Sequence, residues 1–174
     1  MSWKKVVLII VLLIVLALAI LIFLLFFAPK NQPPINPNAA NVDKTQVGIN
    51  QINLLPYNIK AYGLHNPLLS KNTPKIEILI EDEAFNSEII DNRIKTQKEA
   101  IDNEDIMIKT SKNEFLKILN SKDIKKAVQE SAETGNLDIE MLAGKLELAS
   151  KGYLNVYKEV TGESLTGNII RSLK

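Results

Sequence analysis

The most distinct pattern along the chain is an unbroken apolar one, since Val6 to Phe27 are 22 consecutive apolar side chains without a charge. At about 1.5 Å of rise per residue, this run makes a helix of roughly 33 Å, enough to cross a hydrocarbon core of about 30 Å. A different pattern starts after Pro74. From Lys75 to Glu81, Ile76, Ile78 and Ile80 alternate with glutamates, which predicts a half-buried strand. Phe85 to Ile90, the turn-forming Asp91 and Asn92, and Arg93 to Gln97 predict a hairpin. After a loop at Ala100 to Asn103, Ile106 and Ile108 alternate with polar neighbours within Asp105 to Thr110. Three or four antiparallel strands in succession are expected.

The period then changes from two to helical. Ser111 and Glu114 form an S-x-x-E capping box ahead of Phe115, Leu116, Ile118 and Leu119. A second helix is expected from Ser121 or Asp123, with Ile124, Ala127, Val128 and Ala132 at helical spacing and Gly135 at its end. Leu137, Ile139 and Met141 alternate as a returning strand. One long helix is expected from about Leu142 to Val160, with Leu146, Ala149, Tyr153 and Tyr157 along one stripe. Leu165, Ile169, Ile170 and Leu173 suggest one or two further amphipathic turns. Upstream, Gln46 to Ser70 contains apolar residues interrupted by Pro56, which predicts a short helix or an irregular packing segment. Strands followed by helices, with one strand returning, make an α+β layer fold.

Composition sharpens this reading mainly by exclusion. The 174 residues include no cysteine and one histidine, His65, so thiol chemistry, disulfides and histidine-cluster metal sites are excluded. From Thr45 onward, 17 basic residues face 19 acidic ones, a formal charge of −2. That balance lacks the basic footprint of a nucleic-acid binder. The chain divides into a flank (1–5), a transmembrane helix (6–27), a Pro/Asn-rich linker (28–44) and one domain (45–174). The apolar run exceeds a signal-peptide core and closes without a small-x-small site at Phe26–Pro29, so an uncleaved anchor is expected. Lys4 and Lys5 precede the run, whereas only Lys30 and Lys44 follow it closely. This bias places the amino terminus in the cytoplasm and the domain on the far side of a cell membrane.

The order of elements from Pro74 to Thr161 resembles the sterol carrier protein family of lipid-binding domains. The resemblance is carried by the strand, turn and strand at Phe85–Gln97, and by the strand running into a capped helix at Asp105–Leu119. It is carried also by the helix from Asp123 that leads to the G-x-L-x-I strand Gly135–Ile139. It implies a curved, mainly antiparallel sheet covered by helices, with an apolar tunnel between them for a fatty acyl chain, a sterol or another hydrophobe. Inner-face candidates for that ligand are Phe115, Ile118, Leu119, Val128, Leu137, Ile139, Leu146, Tyr153 and Tyr157. At each of these positions plain core packing is the competing reading.

No pattern points to catalysis or to a cofactor. A Ser-His-Asp relay would depend on His65, with no G-x-S-x-G elbow, and a packing or surface role is expected for that residue. Gly162 to Gly167 has phosphate-loop glycine spacing, but Asn168 and Ile169 replace the required Lys-Ser/Thr. The acidic pairs and runs at Glu81–Glu83 and Glu104–Asp105 lack calcium-loop spacing and read as solvated strand ends. The expectation is therefore a non-enzymatic, membrane-tethered domain that binds or transfers a hydrophobic ligand. The alternatives are a membrane-anchored interaction module with a closed core and an accessory domain to an enzyme on another chain.

Overall fold

In the computed structural model, which describes residues 12–18, 42–67 and 70–161, the alternation after Pro74 becomes a five-stranded sheet. Its strands are β1 (Lys75–Ile80), β2 (Glu83–Ile90), β3 (Arg93–Gln97), β4 (Ile106–Thr110) and β5 (Leu137–Met141), in spatial order β3-β2-β1-β4-β5. The fold is α+β and the sheet is mixed. β1 runs antiparallel to β2, β2 to β3 and β4 to β5, but β1 and β4 are parallel. β1 to β3 form the expected antiparallel succession, and β4 departs from it by pairing parallel to β1. After β3 the chain crosses back and adds β4 to the free side of β1, a connection no local pattern announces. The crossing segment lies against the sheet where Ile101 N–H donates to Glu77 Oε1 at 3.1 Å.

Register sorts the two faces. Ile76 stands beside Ser87 and Ile106, and Ile78 beside Phe85 and Ile108, while Ile108 faces Ile139. Because side chains alternate along a strand, these residues share one face, and the helices cover it. Asp91 and Asn92 both have positive φ, the signature of a two-residue type I′ hairpin, as their position between β2 and β3 requires.

Two short helices, α1 (Ile49–Ile52) and α2 (Leu54–Asn58), precede the sheet. Ile52, Leu54, Leu55, Ile59, Ala61 and Leu64 are all at most 1% exposed, so this segment supplies a large share of the core. It lies outside the stretch that carries the family resemblance. A polar link fastens it to the sheet, with Thr96 Oγ1 bonded to Asn53 Oδ1 at 2.5 Å and to Ser87 Oγ at 2.8 Å.

Helix α3 (Lys112–Asn120) starts as its sequence requires, with Ser111 Oγ accepting from Glu114 N–H at 3.2 Å. The Glu114 carboxylate bonds Ser131 Oγ at 2.5 Å and pairs with Lys117 at 3.0 Å, which ties α3 to the next helix. These bonds hold its carboxyl below the usual range, Ser131 contributing most. Helix α4 (Ile124–Glu133) is capped by Asp123 and ends in a Schellman arrangement, in which Gly135 N–H reaches the Ala132 carbonyl and Asn136 N–H that of Ser131. Gly135 takes the required left-handed φ of 72°.

The expected long final helix is two helices, α5 (Lys145–Lys151) and α6 (Tyr153–Thr161). Gly152, with φ of 88°, ends the first and resets the phase of the second. Leu148 and Lys151 of α5 and Tyr153, Val156 and Val160 of α6 therefore face inward. The expected stripe through Leu146 and Ala149 falls on the solvent side. α6 packs against α4 and is pinned at its outer edge through Glu159, whose carboxylate pairs with Lys125 and, at 2.8 Å, with Lys60. Lys125 and then Lys60 hold the Glu159 carboxyl below the usual carboxylate range.

The chain separates into two units, Met1–Gln32 and Pro33–Lys174. In the first, residues 12–18 are helical and Leu12, Leu13, Ile14, Val15 and Leu16 are exposed. Among the described residues no helix is long and apolar enough to cross a membrane. The rest of the expected 6–27 span, most of the 28–44 linker, the Gly162–Gly167 loop and the amphipathic tail lie outside the described residues.

Candidate functional site

The apolar candidate lies where α6 crosses the β4–β5 end of the sheet. The strands contribute Ile106, Ile108, Ile139 and Met141, paired across the ladder as Ile106 with Met141 and Ile108 with Ile139. The helix contributes Tyr153, Val156, Tyr157 and Val160, whose spacing of three, one and three residues puts them on one face. A hollow of about 10 Å³ remains between the two surfaces. Ligand pockets run to roughly 300–1,000 Å³, and one water needs about 10–15 Å³, so this seam is closed around itself. No ligand-sized apolar tunnel is open at this seam. Two roomier hollows lie elsewhere. One of about 320 Å³ has Ile118 and Ala127 in its wall with Glu114, Lys117, Glu130 and Ser131 around them, and one of about 440 Å³ is bounded by Glu81, Asp82, Glu83 and Lys112. The second has a lining unsuited to a hydrocarbon chain, and the first mixes an apolar wall with charged groups.

The nine residues proposed from the sequence separate into three groups. Phe115, Ile118 and Leu119 of α3, Val128 of α4 and Leu137 of β5 are each at most 2% exposed, and belong to the central core. Ile139, Tyr153 and Tyr157 line the seam, with Ile139 and Tyr157 half-buried at its mouth. Leu146 is 86% exposed on the outer side of α5 and lines nothing on the inner face. His65 is on the surface, its Nδ1 3.1 Å from the Asn66 carbonyl.

A buried charged cluster sits at the end of the same seam, and sequence reasoning did not find it. Asp105, expected as a solvated strand end, is 2% exposed, and Lys151 is 1% exposed. Lys151 Nζ lies 2.5 Å from Asp105 Oδ1 and 2.9 Å from Glu147 Oε1, with the Thr73 carbonyl at 3.5 Å as a third acceptor. Asp105 Oδ2 accepts from Lys75 N–H at 2.8 Å and lies 2.8 Å from the Tyr153 hydroxyl. That hydroxyl is also 3.1 Å from the Lys75 carbonyl, so its single proton has two acceptors. Burial, together with the adjacent Asp105 carboxylate, pushes the Tyr153 phenol far above its ordinary range, so it stays a neutral donor. The cluster ties β1, β4, α5 and α6 at one point. Each charge has its partners, which is the condition under which buried ions are tolerated. The available sequence signal was Glu147 four residues before Lys151, with Lys151 adjoining a glycine break. The partnership with Asp105 is long-range and left no local mark.

No family model matches the chain, and no curated protein matches it. Among solved structures, it is similar over 61% of its length to a double mutant of the sec-alkyl sulfatase PisA1, at 11% identity and a TM-score of 0.39. The chain spans 16% of the length of that sulfatase. It is similar over 63% of its length to UbiJ-SCP2, a ubiquinone synthesis protein, at 7% identity and a TM-score of 0.35, covering 94% of that chain. At these scores neither likeness bears on ligand or activity, and the site rests on the chain's own residues.

Proposed function

We propose that the protein is a membrane-anchored, non-enzymatic binder of a hydrophobic ligand, a fatty acyl chain or a sterol-like molecule, taken at the seam between α6 and the β4–β5 end of the sheet. The observation that carries this reading is the lining. Of the three hollows described, the seam is the one whose lining side chains are all aliphatic or aromatic. The folded state described here is then the empty form, and entry requires α6 to move outward. Its first residue is locked by the Tyr153 hydroxyl on Asp105 and its far end is fastened by the half-buried Glu159 carboxylate with Lys125 and Lys60, so the movement is a swing of the C-terminal part of α6 with Tyr153 left in place. Each Å² of seam covered by ligand instead of water returns roughly 25 cal/mol. The order of strands and helices from Pro74 to Thr161, which resembles the sterol carrier family, supports the reading. The apolar run Val6–Phe27 supports the anchor, with the domain held near its lipid source at high effective concentration.

The test compares lipids extracted from the full-length protein and from a Tyr157→Asp variant, both purified in the same detergent. A lipid species retained by the wild type and lost from the variant is expected, since a carboxylate at the mouth disfavours an apolar occupant. Identical extracts would count against the binder. A second reading, a membrane-anchored interaction module with a filled core, is favoured by one observation, the seam's volume of about 10 Å³. It predicts those identical extracts.

A further inference from the structure

Three large apolar side chains stand exposed within one short stretch of the β5–α5–α6 segment. They are Leu142 at 48%, Leu146 at 86% and Leu154 at 45%. Single exposed leucines are ordinary, but these three follow one another through a segment whose backbone is firmly tied. Leu142 N–H and Ala143 N–H both donate to the Asp105 carbonyl, at 2.9 and 3.0 Å. The far end of α5 returns to the same residue through the Lys151–Asp105 ion pair. Leu142 and Leu146 are therefore presented outward on a frame fixed at both ends to Asp105, and Leu154 follows just beyond it on α6.

We infer that this segment is a membrane-docking surface, with Leu142, Leu146 and Leu154 entering the lipid surface. The inference rests on the membrane-anchored binding reading above and says which face of the domain meets its lipid source. Three observations select a lipid surface as the occupant. The spacer 28–44, at about 3.1 Å per extended residue, reaches roughly 50 Å, so the face can come down on the bilayer that holds the anchor. Exposed Lys145 and Lys158 flank the leucines, and Glu147 is engaged with Lys151, a pairing of apolar and cationic groups that suits a headgroup layer. Leu142 directly follows Met141, and Leu154 directly follows Tyr153, so two of the three are next in sequence to residues that line the seam.

The absence of cysteine makes the test clean. Leu146→Cys and, as a control on the far sheet edge, exposed Lys95→Cys are each labelled with an environment-sensitive fluorophore in the full-length chain. The proteins are placed in nanodiscs of phosphatidylcholine and phosphatidylglycerol, with and without nitroxide-bearing phosphatidylcholine. The label at 146 is expected to shift to the blue and to lose most of its emission to the nitroxide lipid, while the label at 95 does neither. Both labels reading water in a chain retained by the disc would overturn the docking surface and leave the anchor standing. A chain not retained by the disc would overturn the anchor and the docking surface together. A blue-shifted label at 146 that nitroxide lipid does not quench would mean that protein, a second copy or another chain, covers the face, and would also overturn the proposal.

Discussion

Lys151→Met is expected to lower the stability of the domain by about 3–5 kcal/mol, the range for stranding one member of a buried ion pair. Methionine nearly matches the length of the lysine stem, so little volume is lost and the effect isolates the charge. Asp105 keeps the Lys75 amide and the Tyr153 hydroxyl, but its Oδ1 loses the Lys151 ammonium at 2.5 Å. The double variant Asp105→Asn with Lys151→Met is expected to be more stable than Lys151→Met alone, because no uncompensated buried ion remains and Glu147, 38% exposed, keeps water and the Asn72 amide. The two substitutions should couple by about 0.5–3 kcal/mol. Urea unfolding of the full-length protein in detergent micelles, followed by circular dichroism, measures both. A loss below about 1 kcal/mol for Lys151→Met would mean that the carboxylate reaches water and that the cluster is not the lock described.

Phe115→Ala should cost a similar amount, about 3–5 kcal/mol, through lost transfer energy and the cavity left in a fully covered site. Tyr157→Ala, at the half-buried mouth of the seam, should cost closer to the typical 1 kcal/mol for a point substitution. The contrast separates core from site among the residues that the sequence had grouped together. The account requires Phe115→Ala to weaken the empty domain without changing which lipid is retained, and Tyr157→Ala to change lipid retention with little loss of stability. The reverse pattern, measured by unfolding and lipid extraction on the same preparations, would move the ligand from the α6 seam to the α3 core.

What was readable in the sequence was what local physics encodes. Alternation located β1, β2, β3, β4 and β5 to within a residue or two, and Asp91–Asn92 marked the type I′ turn. Ser111, Asp123 and Gly135 marked helix ends that the structure reproduces, although Glu114, the second half of the expected capping box, turns its carboxylate to Ser131 and Lys117. What escaped depended on chain segments far apart or on a change of phase. The parallel pairing of β4 with β1 is decided by the whole sheet. A single glycine at 152 turned one expected helix into two and carried Leu146 from the inner face to solvent. The Asp105–Lys151 pair joins residues 46 positions apart, and each of them alone looks like a surface charge. Of the candidate ligand contacts, the seam residues Ile139, Tyr153 and Tyr157 had no mark separating them from core residues such as Phe115. Burial and cavity lining, which are three-dimensional properties, make that distinction.

The most direct measurement of the central claim is photocrosslinking of a diazirine-bearing fatty acid to the full-length protein in nanodiscs, with the adducts mapped by mass spectrometry. The account predicts adducts on peptides containing Ile139–Met141 and Tyr153–Val160. Adducts confined to the Val6–Phe27 run, which any membrane anchor would collect from the surrounding lipid, would contradict it.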